Sequence, residues 1–86
     1  MSDYTHPKHW ARLRELAGRM DRLDYYQVLN LQPGAELTQI RTAYHDLSRA
    51  LHPDRFHQVE DQDVRSAVHA IYKRVAEAYA ILRDPD

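Results

Sequence analysis

Apolar side chains recur every three or four residues along most of the chain, which is the period of one face of an α-helix. The pattern predicts helices at about residues 7–20, 24–31, 36–51 and 62–82. The third helix has an apolar seam formed by Leu37, Ile40, Tyr44, Leu47 and Leu51, with Ala43 beside it. The fourth has a seam formed by Val64, Val68, Ile71, Val75, Ala78, Tyr79 and Leu82.

Helix start and stop signals lie at the ends of these segments. Pro7 suits a first helical position, and Asp24 with Gln27 three residues later predicts a capping box. Pro53 ends the third helix, because the residue before a proline avoids the α region. Asp61 or Asp63 can cap the fourth helix.

The two long seams predict an all-α fold built on an antiparallel helical hairpin. We expect Tyr44, Leu47, Val68, Ile71 and Val75 to be largely buried, with a polar loop over residues 52–61. The short second helix must pack across the hairpin, since an isolated helix of that length is not stable. The first helix is amphipathic, and its apolar stripe needs cover either from this domain or from a missing neighbour; we expect it to pack on this domain. The stripe consists of Trp10, Leu13, Leu16, Ala17 and Met20.

Composition narrows the functional classes. The chain has 86 residues and a formal net charge of −1, which argues against a nucleic-acid module with its usual basic excess. It contains no cysteine, so thiolate metal sites and disulfides are excluded. No apolar run is long enough to span a bilayer and the start lacks a signal-peptide pattern, so the expected location is the cytoplasm.

Enzyme motifs are missing from the sequence. Ser48 and Ser66 lie within predicted helices without the glycine-rich turn that a serine nucleophile needs. His52 and His57 are five residues apart, but no metal-ligand motif surrounds them. We therefore expect no catalytic residue, metal or cofactor. His6, His9 and His69 are expected to be solvated surface side chains.

The run His52-Pro53-Asp54-Arg55-Phe56-His57 follows directly after a predicted helix. A purely structural interpretation is available for it. Pro53 would end the helix, the Asp54 side chain would bond local backbone, and Phe56 would close the end of the hairpin. Spacing alone does not separate this interpretation from a functional one.

The chain resembles the J-domain, or DnaJ-like, family over about residues 23–85. Four stretches carry the resemblance, in the family's order: Asp-Tyr-Tyr-Gln-Val-Leu at 24–29, Ile-Arg-Thr-Ala-Tyr-His-Asp-Leu-Ser at 40–48, His-Pro-Asp-Arg at 52–55 and Glu-Ala-Tyr-Ala-Ile-Leu-Arg-Asp-Pro at 77–85. A lone His-Pro-Asp is weak evidence, whereas all four stretches at these spacings are specific to the family.

The resemblance implies a co-chaperone that is not itself an enzyme. In the family the tripeptide docks on the ATPase domain of a DnaK-type heat-shock chaperone, its aspartate pairs with an arginine there, and ATP hydrolysis accelerates. Arg41, His45 and Arg49 form an i, i+4, i+8 stripe leading toward the loop. The expected partner-binding residues are His52, Pro53, Asp54, Arg41, His45, Arg49 and Arg55.

The sequence also departs from the family on this helix face. Thr42, Asp46 and Ala50 occupy positions where members often carry a base. Asp46 is expected to pair with Arg49 three residues on, and steering toward an acidic partner should be weaker than in a typical member. This motivates a second hypothesis, a J-like protein-interaction module without productive chaperone stimulation. A helix-turn-helix DNA binder is a third.

We expect the chain to divide into an N-terminal helical extension, residues 1–22, and a J-domain, residues 23–86. Many family members continue with a basic fourth helix, which this chain lacks, so we expect a domain taken from a longer protein. As an isolated domain it is expected to be a monomer.

Overall fold

The computed structural model describes residues 4–84 and contains five α-helices in that range. They are α1 (Trp10–Arg19), α2 (Tyr25–Val28), α3 (Leu37–Ala50), α4 (Pro53–Phe56) and α5 (Gln62–Leu82). Short 3-10 turns at Pro7–His9 and Met20–Arg22 flank α1. No strand occurs within the described range, so the expected all-α class is confirmed.

Helices α3 and α5 form the expected antiparallel hairpin. The rings of Tyr44 and Tyr79 stack with their centroids 4.1 Å apart and an interplanar angle of 8°. The rings of His52 and Tyr72 meet edge-on at 5.2 Å. From Tyr44 to His52 along the chain, the contact therefore moves back along α5 from Tyr79 to Tyr72. Helices α3 and α5 thus run antiparallel.

The core is centred on one face of α5. Its buried residues are Val64, Ala67, Val68, Ile71, Val75 and Ala78. The other elements each contribute to the same apolar cluster, through Leu13, Met20, Val28, Leu29, Ile40, Leu51 and Phe56. Each fully buried aliphatic or aromatic side chain stabilises the fold by about 1.5–3 kcal/mol relative to exposure. The predicted burial of Val68, Ile71 and Val75 is confirmed.

Three residues of the third seam depart from the prediction. Leu37 is 40% exposed. It lies about two helical turns before Tyr44, and because Tyr44 pairs with Tyr79 in an antiparallel hairpin, the position opposite Leu37 falls beyond Leu82, the last residue of α5. Tyr44 and Leu47 are half-buried rather than largely buried. Tyr44 packs through its stack with Tyr79, which leaves its side chain partly accessible.

Helix α1 packs along α5, as its apolar stripe predicts. Leu13 and Met20 are only 3% and 4% exposed and belong to the common core. The first predicted turn is a 3-10 turn rather than α-helix, and His6 caps it by accepting a hydrogen bond from the Lys8 amide at 3.1 Å. The division of the chain between residues 22 and 23 stays a prediction, since this core crosses it.

Arg74 of α5 joins α1 and α2 to the hairpin. Its guanidinium donates to the carbonyl oxygens of Met20 and Leu23 at 3.4 and 3.2 Å and pairs with Glu77. It also lies over the Tyr25 ring, 4.8 Å from the centroid. Partial burial lowers the pKa of Arg74, but the interactions with Glu77 and Tyr25 outweigh it, so the pKa is raised. The charge is therefore fully retained.

Capping residues set the starts of α2, α3 and α5. The predicted Asp24–Gln27 capping box is confirmed, although α2 ends at Val28, earlier than expected. A second capping box joins Glu36 and Gln39 at the start of α3. Asp61 is the cap of α5, accepting from the Val64 amide at 3.2 Å. Among the described helices none is long and apolar enough to cross a membrane.

Candidate functional site

The segment after α3 is more ordered than the expected polar loop. Pro53 ends α3 and also begins α4, a single helical turn, so the first part of the expected polar loop over residues 52–61 is helical. Proline favours a first helical position because its fixed φ suits a helix and its missing N–H is not needed there. His52 is extended, with φ −61° and ψ 132°, as a residue before proline prefers.

His52 is the N-cap of this turn. Its Nδ1 accepts a hydrogen bond from the Asp54 amide at 3.1 Å. The same nitrogen lies 3.7 Å from a carboxylate oxygen of Asp54. Because Nδ1 accepts an N–H, it carries no proton in this arrangement, so the 3.7 Å contact is not an ion pair. The ring proton is therefore on Nε2.

The Asp54 side chain is almost entirely free. It is 94% exposed, and within residues 4–84 it forms no hydrogen bond to the backbone, contrary to the purely structural interpretation. Its backbone is held on both sides instead. Its amide donates to His52, and its carbonyl oxygen lies 2.8 Å from Nδ1 of His57. Phe56, 1% exposed, anchors the turn in the core, as expected.

An open groove of about 510 Å³ lies beside this turn, between α3 and α5. The expected partner-binding residues that line it are His45, Arg49, His52, Asp54 and Arg55. Arg41 and Pro53 do not line it. Arg41 is exposed nearer the start of α3. The structure thus brings five of the seven residues to one surface.

Two tyrosines that were not expected at the site form the apolar part of this groove. Tyr72 packs edge-on against His52, and Tyr44 lies on the facing helix. The signal in the sequence that could have pointed to Tyr72 is its position: it follows the buried Ile71 directly and so lies at the margin of the apolar seam of α5. Ser48 also lines the groove, but its hydroxyl donates to the Tyr44 carbonyl oxygen at 2.6 Å, so it is a satisfied helix residue.

The charges on α3 are partly neutralised. Arg49 lies 3.3 Å from Asp46, which confirms the expected pair three residues apart. Arg41 is exposed and forms no ion pair with any residue of the described range. Along the i, i+4, i+8 stripe, Arg41 therefore has no ion-pair partner among residues 4–84, His45 presents an imidazole, and Arg49 shares its guanidinium with a carboxylate.

Metal-binding groups do not assemble here. Across residues 4–84 there is no group of three or more His, Cys, Asp or Glu side chains that could hold a metal ion. His6 and His69 are exposed, while His9 is half-buried with its ring 5.2 Å from that of Tyr4.

Comparison with known proteins assigns the family. The family model of the DnaJ domain matches residues 24–86. Chaperone protein DnaJ of Clostridium perfringens is 39% identical over 67 residues, and that of Thermosipho africanus is 37% identical over 67 residues. Curved DNA-binding protein of Pseudomonas syringae pv. tomato is 36% identical over 67 residues. Each alignment covers 78% of this chain.

The same alignments cover only 16% of each DnaJ protein and 19% of the curved DNA-binding protein, so the chain spans less than a fifth of the length of these relatives. No solved structure gave a significant match. The family match covers most of the chain and includes α2, α3, the His-Pro-Asp turn and α5. The chain therefore belongs to the DnaJ domain family.

Proposed function

We propose that this chain is a co-chaperone module that binds a DnaK-type chaperone and stimulates its ATP hydrolysis through His52-Pro53-Asp54. The observation that carries the proposal is the state of Asp54. Its carboxylate is 94% exposed while its backbone is fixed by hydrogen bonds to two histidines. A fixed backbone lowers the entropy lost when the side chain meets a partner.

The chemistry implied by the family resemblance suits this geometry. There, the aspartate pairs with an arginine of the chaperone. An exposed carboxylate on a rigid turn can accept a bidentate guanidinium without losing an internal bond. Each tenfold acceleration of hydrolysis requires about 1.4 kcal/mol of preferential binding to the hydrolysis-competent state. One charge-assisted contact from Asp54 supplies an energy of that size.

The surrounding groove supplies the rest of the proposed contact surface. Arg55 lies within the α4 turn itself, and His45 and Arg49 line the α3 side. Arg41 extends the stripe one helical turn further. These cations favour an acidic chaperone surface and act mainly on the association rate. The ATP is hydrolysed by the partner, so the module needs no catalytic residue or cofactor, and we propose that it acts as a monomer in the cytoplasm.

The proposal is tested with the Asp54→Asn variant. We expect it to remain folded and to lose stimulation of a DnaK-type ATPase in single-turnover assays. The matched control is Asp63→Asn, the same chemical change at an exposed position in the first turn of α5, and it should stimulate normally. Normal stimulation by folded Asp54→Asn would contradict the proposed role of the tripeptide.

A second function is supported by the Asp46–Arg49 pair. A module that binds a chaperone without stimulating it is the alternative, because the pair weakens the basic face. Binding of the unmodified chain with no change in hydrolysis would establish it. DNA binding has less support: the curved DNA-binding relative matches over 67 residues, 19% of its length, and this chain has a net charge of −1.

A further inference from the structure

The outward face of α1 and its flanking turns carries a stripe of charged side chains. Within α1, at 100° per residue, Arg12, Glu15 and Arg19 occupy about 60° of the helix circumference and lie at least about 100° from the buried Leu13. The other members lie in the 3-10 turns at either end of α1. All members of the stripe are exposed. They are Lys8, Arg12, Glu15, Arg19 and Arg22, here called the α1 stripe.

The α1 stripe is predominantly cationic. Glu15 lies 3.8 Å from Arg19, the only ion pair within the stripe. Lys8, Arg12 and Arg22 form no ion pair with any residue between 4 and 84. The stripe therefore presents, along one side of the domain, three positive charges that have no ion-pair partner among the residues that the structure describes.

Helix stability does not account for two of these cations. The amino end of a helix carries partial positive charge, so a base there is unfavourable by about 0.3–1 kcal/mol. Lys8 and Arg12 lie at that end of α1, whose first turn contains no acidic residue. Only Arg19 and Arg22, near the carboxyl end, are favoured by the dipole. Lys8 and Arg12 are therefore at positions where local stability disfavours them.

The α1 stripe and the His-Pro-Asp groove lie on different sides of α5. Arg74 of α5 contacts the carbonyls of Met20 and Leu23, while Tyr72 borders the groove. Residues 72 and 74 are separated by about 160° around the helix. A ligand on the α1 stripe therefore leaves the groove accessible, and both surfaces can be occupied together.

We propose that the α1 stripe binds an acidic polypeptide segment of a partner protein, separately from the chaperone. The stripe is about 23 Å long, at 1.5 Å per residue in α1 and about 2 Å per residue in the flanking 3-10 turns, a length that about seven residues of extended chain would cover. Charge complementarity selects an acidic ligand. Such a contact would bring the chaperone stimulated at the groove to the protein that carries the acidic segment.

The same observations disfavour the other anionic ligands. A helix that lies in a membrane surface inserts an apolar face, but the apolar face of α1 is buried against α5. A nucleic acid presents an unbroken row of phosphates, and Glu15 places a negative charge in the middle of the stripe. A peptide can place a neutral or basic residue opposite Glu15.

The test is fluorescence anisotropy of a labelled peptide of about eight glutamates, titrated with the 86-residue chain and its variants at low salt. Arg12→Glu should weaken binding by about fivefold, since a surface charge contact contributes up to about 1 kcal/mol. Glu15→Gln should strengthen it by about twofold to threefold. Arg12→Glu should also raise the melting temperature slightly, because an acid replaces a base near the amino end of α1.

The matched control is Arg83→Glu, the same charge change at the far end of α5. It should bind the peptide within about 1.5-fold of the unmodified chain, whereas equal losses in Arg83→Glu and Arg12→Glu would show a nonspecific charge effect and overturn the proposal. Absence of peptide binding at low salt would also overturn it. Tighter binding of a DNA duplex or of anionic vesicles that depends on Arg12 would assign the stripe to that ligand instead. None of these outcomes bears on chaperone stimulation through Asp54.

Discussion

The imidazole of His52 packs edge-on against the ring of Tyr72, with the ring centroids 5.2 Å apart and the planes at 68°. This contact attaches the His-Pro-Asp turn to α5. The same imidazole caps α4 through the Asp54 amide. His52 therefore supports the turn structurally, whereas the Asp54 side chain projects into solvent.

This difference predicts separate stability effects for the two residues. His52→Gln should lower the free energy of unfolding by about 0.5–1.5 kcal/mol, because it removes an N-cap and an aromatic contact. Asp54→Asn should change it by no more than about 0.5 kcal/mol, as expected at an exposed site. Chemical denaturation of both variants measures the difference. Equal stabilities would mean that the His52 cap contributes nothing to the turn.

The different burial of three hairpin residues predicts that alanine substitutions there lower the stability of the domain by different amounts. Ile71→Ala should cost about 2–5 kcal/mol, since Ile71 is fully buried. Leu47→Ala should cost less, about 1–2 kcal/mol, because Leu47 is half-buried. Leu37→Ala, at a 40% exposed site, should cost under about 1 kcal/mol. Thermal unfolding gives the order, and a Leu37 effect as large as that of Ile71 would contradict the assigned end of the hairpin.

The contacts of Arg74 predict that it stabilises the packing of α1. Arg74→Met should cost about 1.5–3 kcal/mol, because it removes the guanidinium hydrogen bonds to the carbonyls of Met20 and Leu23 and leaves Glu77 without its cation. The Met20 carbonyl keeps the Leu23 amide as a donor. Lys73→Met is the matched control at the adjacent exposed residue and should cost under about 0.5 kcal/mol. Hydrogen exchange should show faster opening of α1 amides in Arg74→Met only.

The Asp46–Arg49 pair predicts a gain of chaperone affinity on charge reversal. Asp46→Lys releases Arg49 and changes the local charge by two units at an exposed position. Binding to a DnaK-type ATPase domain should strengthen by up to about 1 kcal/mol at low salt. The gain should shrink near physiological ionic strength, where the Debye length is about 8 Å. Folding should change by less than about 0.5 kcal/mol.

A charge change of opposite sign on the same helix provides the counterpart to Asp46→Lys. Arg41→Glu should weaken binding with the same dependence on salt, because Arg41 is exposed and free of an ion pair within the described range. Affinities of Asp46→Lys and Arg41→Glu that match the unmodified chain at low salt would show that this face of α3 does not contact the chaperone. The Asp54 turn would then act without it.

Local sequence patterns determined most of the helical architecture. Periodicity placed the helices, Asp24 with Gln27 specified a capping box, and Pro53 ended α3. These features depend on neighbours within a few residues, so the sequence alone contains the information. The family resemblance also singled out the His-Pro-Asp stretch, because four motifs at fixed spacings identify a family independently of coordinates.

Only the tertiary structure decided how the elements cover one another. Leu37 continues the α3 seam in sequence, yet it is exposed because the antiparallel pairing extends past the end of α5. Tyr72 belongs to the site because it meets His52 across twenty residues of chain. The guanidinium of Arg74 binds backbone carbonyls more than fifty residues away. Such contacts join residues that are far apart in sequence and lie on different elements. The periodicity of each helix shows which face is apolar, but it does not specify how one helix is placed against another.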